Sequence, residues 1–165
     1  MEPNKLLFKN LSAFLALGFG SGLSKKAPGT LGTLVALPFF FLLQFLPEHL
    51  IYLFIFTMFF IGVHVADKTS QALKINDPSC IVIDEIIGFL LLLILITYPL
   101  IGAKIFLTKI DFILAFILFR IFDIWKPFPI YLLEKNYKGG FGIMIDDIGA
   151  AIYAFIIFSL INYVI

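Results

Sequence analysis

From Thr30 to Leu46 the chain carries no charged side chain, and after Pro47 and a short turn with Glu48 and His49 a second such run extends from Leu50 to Val65. About 20 apolar residues take a helix across a bilayer, so runs of this kind constrain the fold more than any other feature. They are continuous and do not alternate with polar residues, which points to helices and away from a β-barrel. Composition agrees. Of 165 residues, 61% are hydrophobic, 17% aromatic and 14% charged, against roughly a quarter charged in a soluble domain. The mean hydropathy is +1.06. A water-facing globule would run short of polar surface, and a disordered chain needs the opposite balance. The expected fold class is therefore all-α: a polytopic helical membrane bundle in a single domain, residues 1–165.

Five spans are expected. The first two are Thr30 to Leu46 and Leu50 to Val65. A polar surface helix from Asp67 to Asp77, ended by Pro78, precedes a third span from Ile81 to Tyr98. The fourth is Asp111 to Trp125 and the fifth runs from near Met144 to Ile165. Met1 to Leu23 has the basic start and apolar stretch of a signal peptide but no small-residue cleavage site, so it is expected to remain as an interfacial or re-entrant helix. With the N-terminus inside, Lys5, Lys9, Lys25, Lys26, Lys68, Lys74, Arg120, Lys126, Lys135 and Lys138 fall on the cytoplasmic side and only Lys104 and Lys109 outside. That asymmetry orients the bundle. The net charge of +1 gives no basis for a nucleic-acid partner.

This orientation brings three acidic pairs to one face: Asp84 and Glu85, Asp123 with Arg120, and Asp146 with Asp147. Carboxylates near a membrane interior are costly unless paired, metal-bound or hydrated. Five of them against Arg120 and Lys126 leave an excess of negative charge, which a hard divalent cation such as Mg²⁺ would balance. Arg120, Asp123 and Lys126 are spaced to share one helical stripe. Gly88, four residues after Asp84, would admit a neighbouring helix, as would Gly149, Ala150 and Ala151. The same carboxylates also have a purely structural reading, as partners of helix dipoles or anchors at the interface.

A glycine-rich segment, GFGSGLSKKAPGTLGT from Gly18 to Thr33, is the second constellation. Its backbone, with Ser21, Ser24, Lys25, Lys26, Gly29 and Thr30, suits contact with phosphate oxygens, and the helix start after Pro28 favours an anion. It is not a Walker loop. Read structurally, it only turns the chain into the membrane. Lys126-Pro127-Phe128-Pro129 and Gly139-Gly140-Phe141-Gly142 stop one span and permit a tight return into the next. Trp125 marks an interface. His49 and His64 have no ligand companions at helical spacing, and Cys80, the single cysteine, reads as an apolar filler. Cys80 lacks a following phosphate loop, and no Asp-x-Asp or paired His/Arg pattern occurs, which leaves carboxylates plus metal as the phosphatase chemistry available.

Together, Gly18 to Thr33, IVIDEIIG (Ile81 to Gly88), FRIFDIWKPFPI (Phe119 to Ile130) and GGFGIMIDDIGAA (Gly139 to Ala151) resemble phosphatidylglycerophosphatase A, a bacterial membrane enzyme family, in the same order across most of the chain. The resemblance implies an all-α bundle in the bacterial cytoplasmic (inner) membrane with its active site on the cytoplasmic face. It also implies Mg²⁺-dependent hydrolysis of phosphatidylglycerophosphate to phosphatidylglycerol and phosphate. The residues expected to carry this are Asp84, Asp123, Asp146 and Asp147 as metal ligands and Glu85 as base. Asp84, Asp123 and Arg120 take part in catalysis, and Arg120, Lys126, Lys25 and Lys26 contact the substrate phosphate. Two rivals are a cation transporter or channel component, which should carry ionisable groups at several depths, and a lipid alcohol phosphotransferase, whose D-G-x₂-A-R start is absent.

Overall fold

The computed structural model describes residues 3–7, 10–99 and 104–164; Lys9 and Ile165 lie outside them. The order of elements is α1 (Pro3–Leu7), α2 (Leu11–Ala16), an irregular 3₁₀ segment (Gly18–Leu23), α3 (Pro28–Leu43), α4 (Glu48–Leu73), α5 (Ile83–Thr97), α6 (Lys109–Trp125), α7 (Ile130–Asn136) and α8 (Gly139–Val164). No strand occurs among the described residues.

The most apolar helix lies at the centre. α5 packs against α3, α4, α6 and α8 and buries Ile86, Phe89, Leu90, Leu92, Leu93 and Ile94 with Phe40 of α3 and Phe119 of α6. A helix apolar on all sides belongs inside a bundle. Its neighbours keep apolar residues outward, among them Leu53, Phe56 and Phe60 on α4 and Ile113, Ile117 and Ile121 on α6. Extended exposed apolar surface of this kind is rare on soluble monomers.

Among the described residues, two helices, Glu48–Leu73 and Gly139–Asn162, are long and apolar enough to cross a membrane. The expected five spans are not supported. α3, α5 and α6 have 16, 15 and 17 residues, and at 1.5 Å per residue they reach only about 22–26 Å. The separate surface helix is also corrected. Asp67-Lys68-Thr69-Ser70-Gln71-Ala72-Leu73 contains no breaker and continues α4 without interruption, and the helix stops before Pro78, where Lys74 turns left-handed at φ 59. The last helix begins at Gly139 and not near Met144. Gly140 and Gly142 are therefore inside it, and the return from α6 is made by α7.

The N-terminal segment folds against the bundle, with α2 on α4 and Leu6, Leu7, Ala13 and Leu17 buried with Leu73. The start of α6 is fixed by a reciprocal cap in which Asp111 N–H donates to Thr108 Oγ1 and Thr108 N–H to Asp111 Oδ2. The start of α8 is fixed from another helix. Gly139 has φ +67, a conformation that favours glycine, and Gly140 N–H donates to Asp67 Oδ1 of α4 at 3.3 Å. Asp67 thereby acquires a role that nothing in its local sequence indicates.

Candidate active site

The site forms where α5 begins. Val82 N–H donates to Ala16 O at 2.9 Å, tying the α5 entry to α2, and Asp84 and Glu85 occupy the first turn, where the helix dipole favours negative charge. One turn later, Gly88 lets α8 come close. A Cβ there would meet Asp147 Cβ, Asp147 O and Phe119 Cζ, each at 3.0 Å. This contact seats Asp147 beside Asp84. Asp84, Glu85 and Asp147 each offer a carboxylate oxygen, and these oxygens lie within 4.8 Å of one another. Asp147 is 3% exposed. Asp84 Oδ1, Glu85 Oε2 and Asp147 Oδ2 are buried without a hydrogen-bond partner. Three crowded carboxylates with buried, unpartnered oxygens require protons or a cation to be stable, and an all-oxygen donor set suits Mg²⁺ or Ca²⁺. On this observation the residues fit the expected metal.

Arg120, from α6, flanks the group. Its Nη1 lies 2.6 Å from Asp123 Oδ2 and 3.9 Å from Glu85 Oε1, and it donates to Thr33 Oγ1 at 3.4 Å. Thr33 in turn donates to Gly29 O at 2.9 Å. Arg120 Nε is buried and unpartnered. Gly29 is required by close approach, because a side chain there would run into Glu85 Oε1 and sit 3.1 Å from Arg120 Nη1. The first turn of α3 therefore rests directly on the acidic group.

The expected metal set divides in two. Asp84 and Asp147 come together with Glu85, which was expected to act as base. Asp123 is held by Arg120 at its i−3 position, although it remains within electrostatic reach of Asp147. Asp146 turns the other way and pairs with Lys126, Nζ to Oδ2 2.5 Å. Lys126 does not continue the α6 stripe: the helix ends at Trp125, and Lys126 is left-handed at φ 45.

Of the expected phosphate contacts, Gly29 and Arg120 are at the group and Thr30 is in the adjoining turn. Ser21 donates to Gly18 O, and Ser24 donates to Lys26 O, both at 2.8 Å, so both hydroxyls close local turns. Lys25 and Lys26 are exposed. Gly18 and Gly32 press on Val82, and Gly22 on Cys80 O, which gives most of these glycines a packing role. His49 and His64 are exposed. Burial pushes the Cys80 thiol up from its usual range. Thr33 was not singled out from the sequence; its position one helical turn after Gly29 was the available signal.

These features define a helical bundle with two membrane-length helices and a buried carboxylate and arginine site at one end. The family profile of phosphatidylglycerophosphatase A matches residues 14–162. A protein from Escherichia coli named phosphatidylglycerophosphatase A is 38% identical over 92% of this chain and 84% of its own length. One of the same name from Haemophilus influenzae is 39% identical over 96% and 93%. A Bacteroides thetaiotaomicron protein, provisionally named a phosphatidylinositol-3-phosphatase, is 37% identical over 94% and 96%. No solved structure matches the chain. The chain belongs to the phosphatidylglycerophosphatase A family.

Proposed function

We propose that this protein is a phosphoric monoester hydrolase that removes the terminal phosphate of phosphatidylglycerophosphate, giving phosphatidylglycerol and inorganic phosphate in glycerophospholipid synthesis. The observation that carries this reading is the Asp84, Glu85 and Asp147 group with its unpartnered oxygens, set against Arg120. Family membership supplies the substrate.

Asp84 and Asp147, with Glu85 beside them, would hold Mg²⁺. Bound there, Mg²⁺ would offset the charge of the phosphate and act as a Lewis acid toward a phosphoryl oxygen. The remaining work falls to the chain. Arg120 directs a planar donor array at the phosphate, with Nε free to donate. Asp123 and Thr33 fix that guanidinium in place. α3 has no side-chain cap at its start, so its first-turn N–H groups favour an anion beside Gly29. Glu85 takes a proton from the attacking water. The new bond joins water oxygen to phosphorus, the bond from phosphorus to the glycerol oxygen breaks, that oxygen takes a proton from solvent, and Glu85 returns its proton to solvent.

In the membrane, α4 and α8 cross the bilayer while α3 and α6 turn their exposed isoleucines, leucines and phenylalanines to the lipid as shorter segments. The basic asymmetry supports an N-terminus and active site on the cytoplasmic face of the bacterial inner membrane. An ion path would need ionisable groups at several depths, whereas Asp84, Glu85, Arg120, Asp123, Asp146 and Asp147 gather at one end. The test is to incubate purified protein with phosphatidylglycerophosphate in mixed micelles and quantify both products. Equal amounts of phosphate and phosphatidylglycerol are expected. Phosphatidylglycerophosphate recovered intact under all divalent-cation conditions would overturn the reading.

A further inference from the structure

Asp146 leads to a second compartment. Its Oδ2 is taken by Lys126, but its Oδ1 is buried and has no partner, and the residue is 6% exposed. Asp146 lines a half-open cavity of about 210 Å³ together with Asn76 and Asp77 of the α4 to α5 connection, Tyr137 and Lys138 before α8, and Ile143. Successive residues on a helix point about 100° apart, so Asp147 faces the carboxylate group while Asp146 faces this neighbouring space. The two compartments meet at this one stretch of α8, since Asp146 lines the cavity and Asp147 belongs to the carboxylate group.

The chemistry of the walls selects among ligands. Asp77 and Asp146 are balanced by Lys126 and Lys138, so neither a free cation nor a second anion is favoured. A neutral molecule bearing hydroxyls is favoured: it can exchange hydrogen bonds with the Asn76 carboxamide and lay its C–H face on Tyr137 and Ile143. Gly139 and Gly142 add no side chain to narrow the space. We propose that this cavity is the head-group subsite, receiving the hydroxyl-bearing glycerol that separates the scissile phosphate from the rest of the lipid. Asn76 is then a specificity residue that distinguishes such a substrate from a phosphate monoester attached directly to diacylglycerol. The inference rests on the phosphatase reading above.

The experiment compares kcat/KM for phosphatidylglycerophosphate and for phosphatidic acid, in mixed micelles with Mg²⁺, for wild type, Asn76→Leu and Lys138→Met. Both side chains are exposed, and thermal melting monitors folding. The wild type is expected to prefer phosphatidylglycerophosphate, and Asn76→Leu to reduce that preference by about tenfold, the worth of one hydrogen bond to a substrate hydroxyl. A wild type without preference, or both variants folded with the preference unchanged, overturns the inference while leaving the phosphatase reading standing. A wild type that releases phosphate from neither lipid overturns the phosphatase reading and the subsite with it. A second arm uses wild type alone. Glycerol 3-phosphate should inhibit about tenfold more strongly than methyl phosphate, which offers no hydroxyl to the cavity; equal inhibition by the two overturns the subsite.

Discussion

Gly88→Ala tests whether α5 and α8 position the acidic group by direct backbone contact. The added Cβ meets Asp147 Cβ, Asp147 O and Phe119 Cζ at 3.0 Å each. None of these is the loose end of a flexible side chain: two are fixed to α8, and Phe119 is fully buried against Phe89. Carbon atoms in contact prefer about 3.5–4.0 Å, so the two helices must separate by at least about half an ångström. Alanine is worth about 1 kcal/mol over glycine in a helix, while overpacking costs about 1–3 kcal/mol. These terms largely offset each other, and melting should change by only a few degrees. The site has no such compensation. Asp84 sits one turn from Gly88 and Asp147 is the residue displaced, and since a misplacement near 1 Å costs about a hundredfold in rate, half of that should cost about tenfold. Phosphate release and melting measured on the same preparation check this. A variant with wild-type kcat would refute the claim that this contact sets the geometry of the site.

Three further outcomes follow from the same geometry. Arg120→Lys keeps the charge but loses the array that reaches Asp123, Thr33 and Glu85, so kcat should fall by about a hundredfold at little cost in stability; a wild-type rate would remove Arg120 from the mechanism. Lys126→Met strips a buried carboxylate of its ion-pair partner and should cost about 3–5 kcal/mol in denaturant unfolding, much of it recovered in Lys126→Met/Asp146→Leu; an unchanged midpoint in the single variant would show that the pair is not structural. Because burial raises the Cys80 thiol, its thiolate fraction at neutral pH lies below that of an ordinary cysteine, so labelling by a water-soluble maleimide should be slow near pH 7 and accelerate at higher pH than for a free thiol. Rapid labelling at pH 7 would contradict that environment.

Much of the bundle is legible in the sequence, because a helix apolar on every side has no other place to go and uninterrupted apolar runs announce it. The convergence of the acidic pairs follows from the same reasoning, since helices entering from one side bring their first or last turns to one level. Three things escape a linear reading. The polar stretch after Val65 resembles a separate surface helix because its polarity changes, yet polarity does not end a helix and only the left-handed Lys74 does. Gly140 and Gly142 suggest a loop, but Gly140 is small because it lies against the Val63 carbonyl of α4. The partition between Asp146 and Asp147 depends on which partner each meets, Lys126 or the α5 carboxylates. That is decided by helix rotation, which adjacent letters do not encode.

The central claim is that Asp84 and Asp147, with Glu85 beside them, form a divalent-cation site on which phosphate release depends. Its most direct test is a Mg²⁺ titration of phosphate release from phosphatidylglycerophosphate by wild type, Asp84→Asn and Asp147→Asn, with melting recorded for each. Release that is absent in chelator, saturable in Mg²⁺ for the wild type, and lost in both folded variants is the predicted result. Full release in chelator, or wild-type rates in both variants, would contradict it.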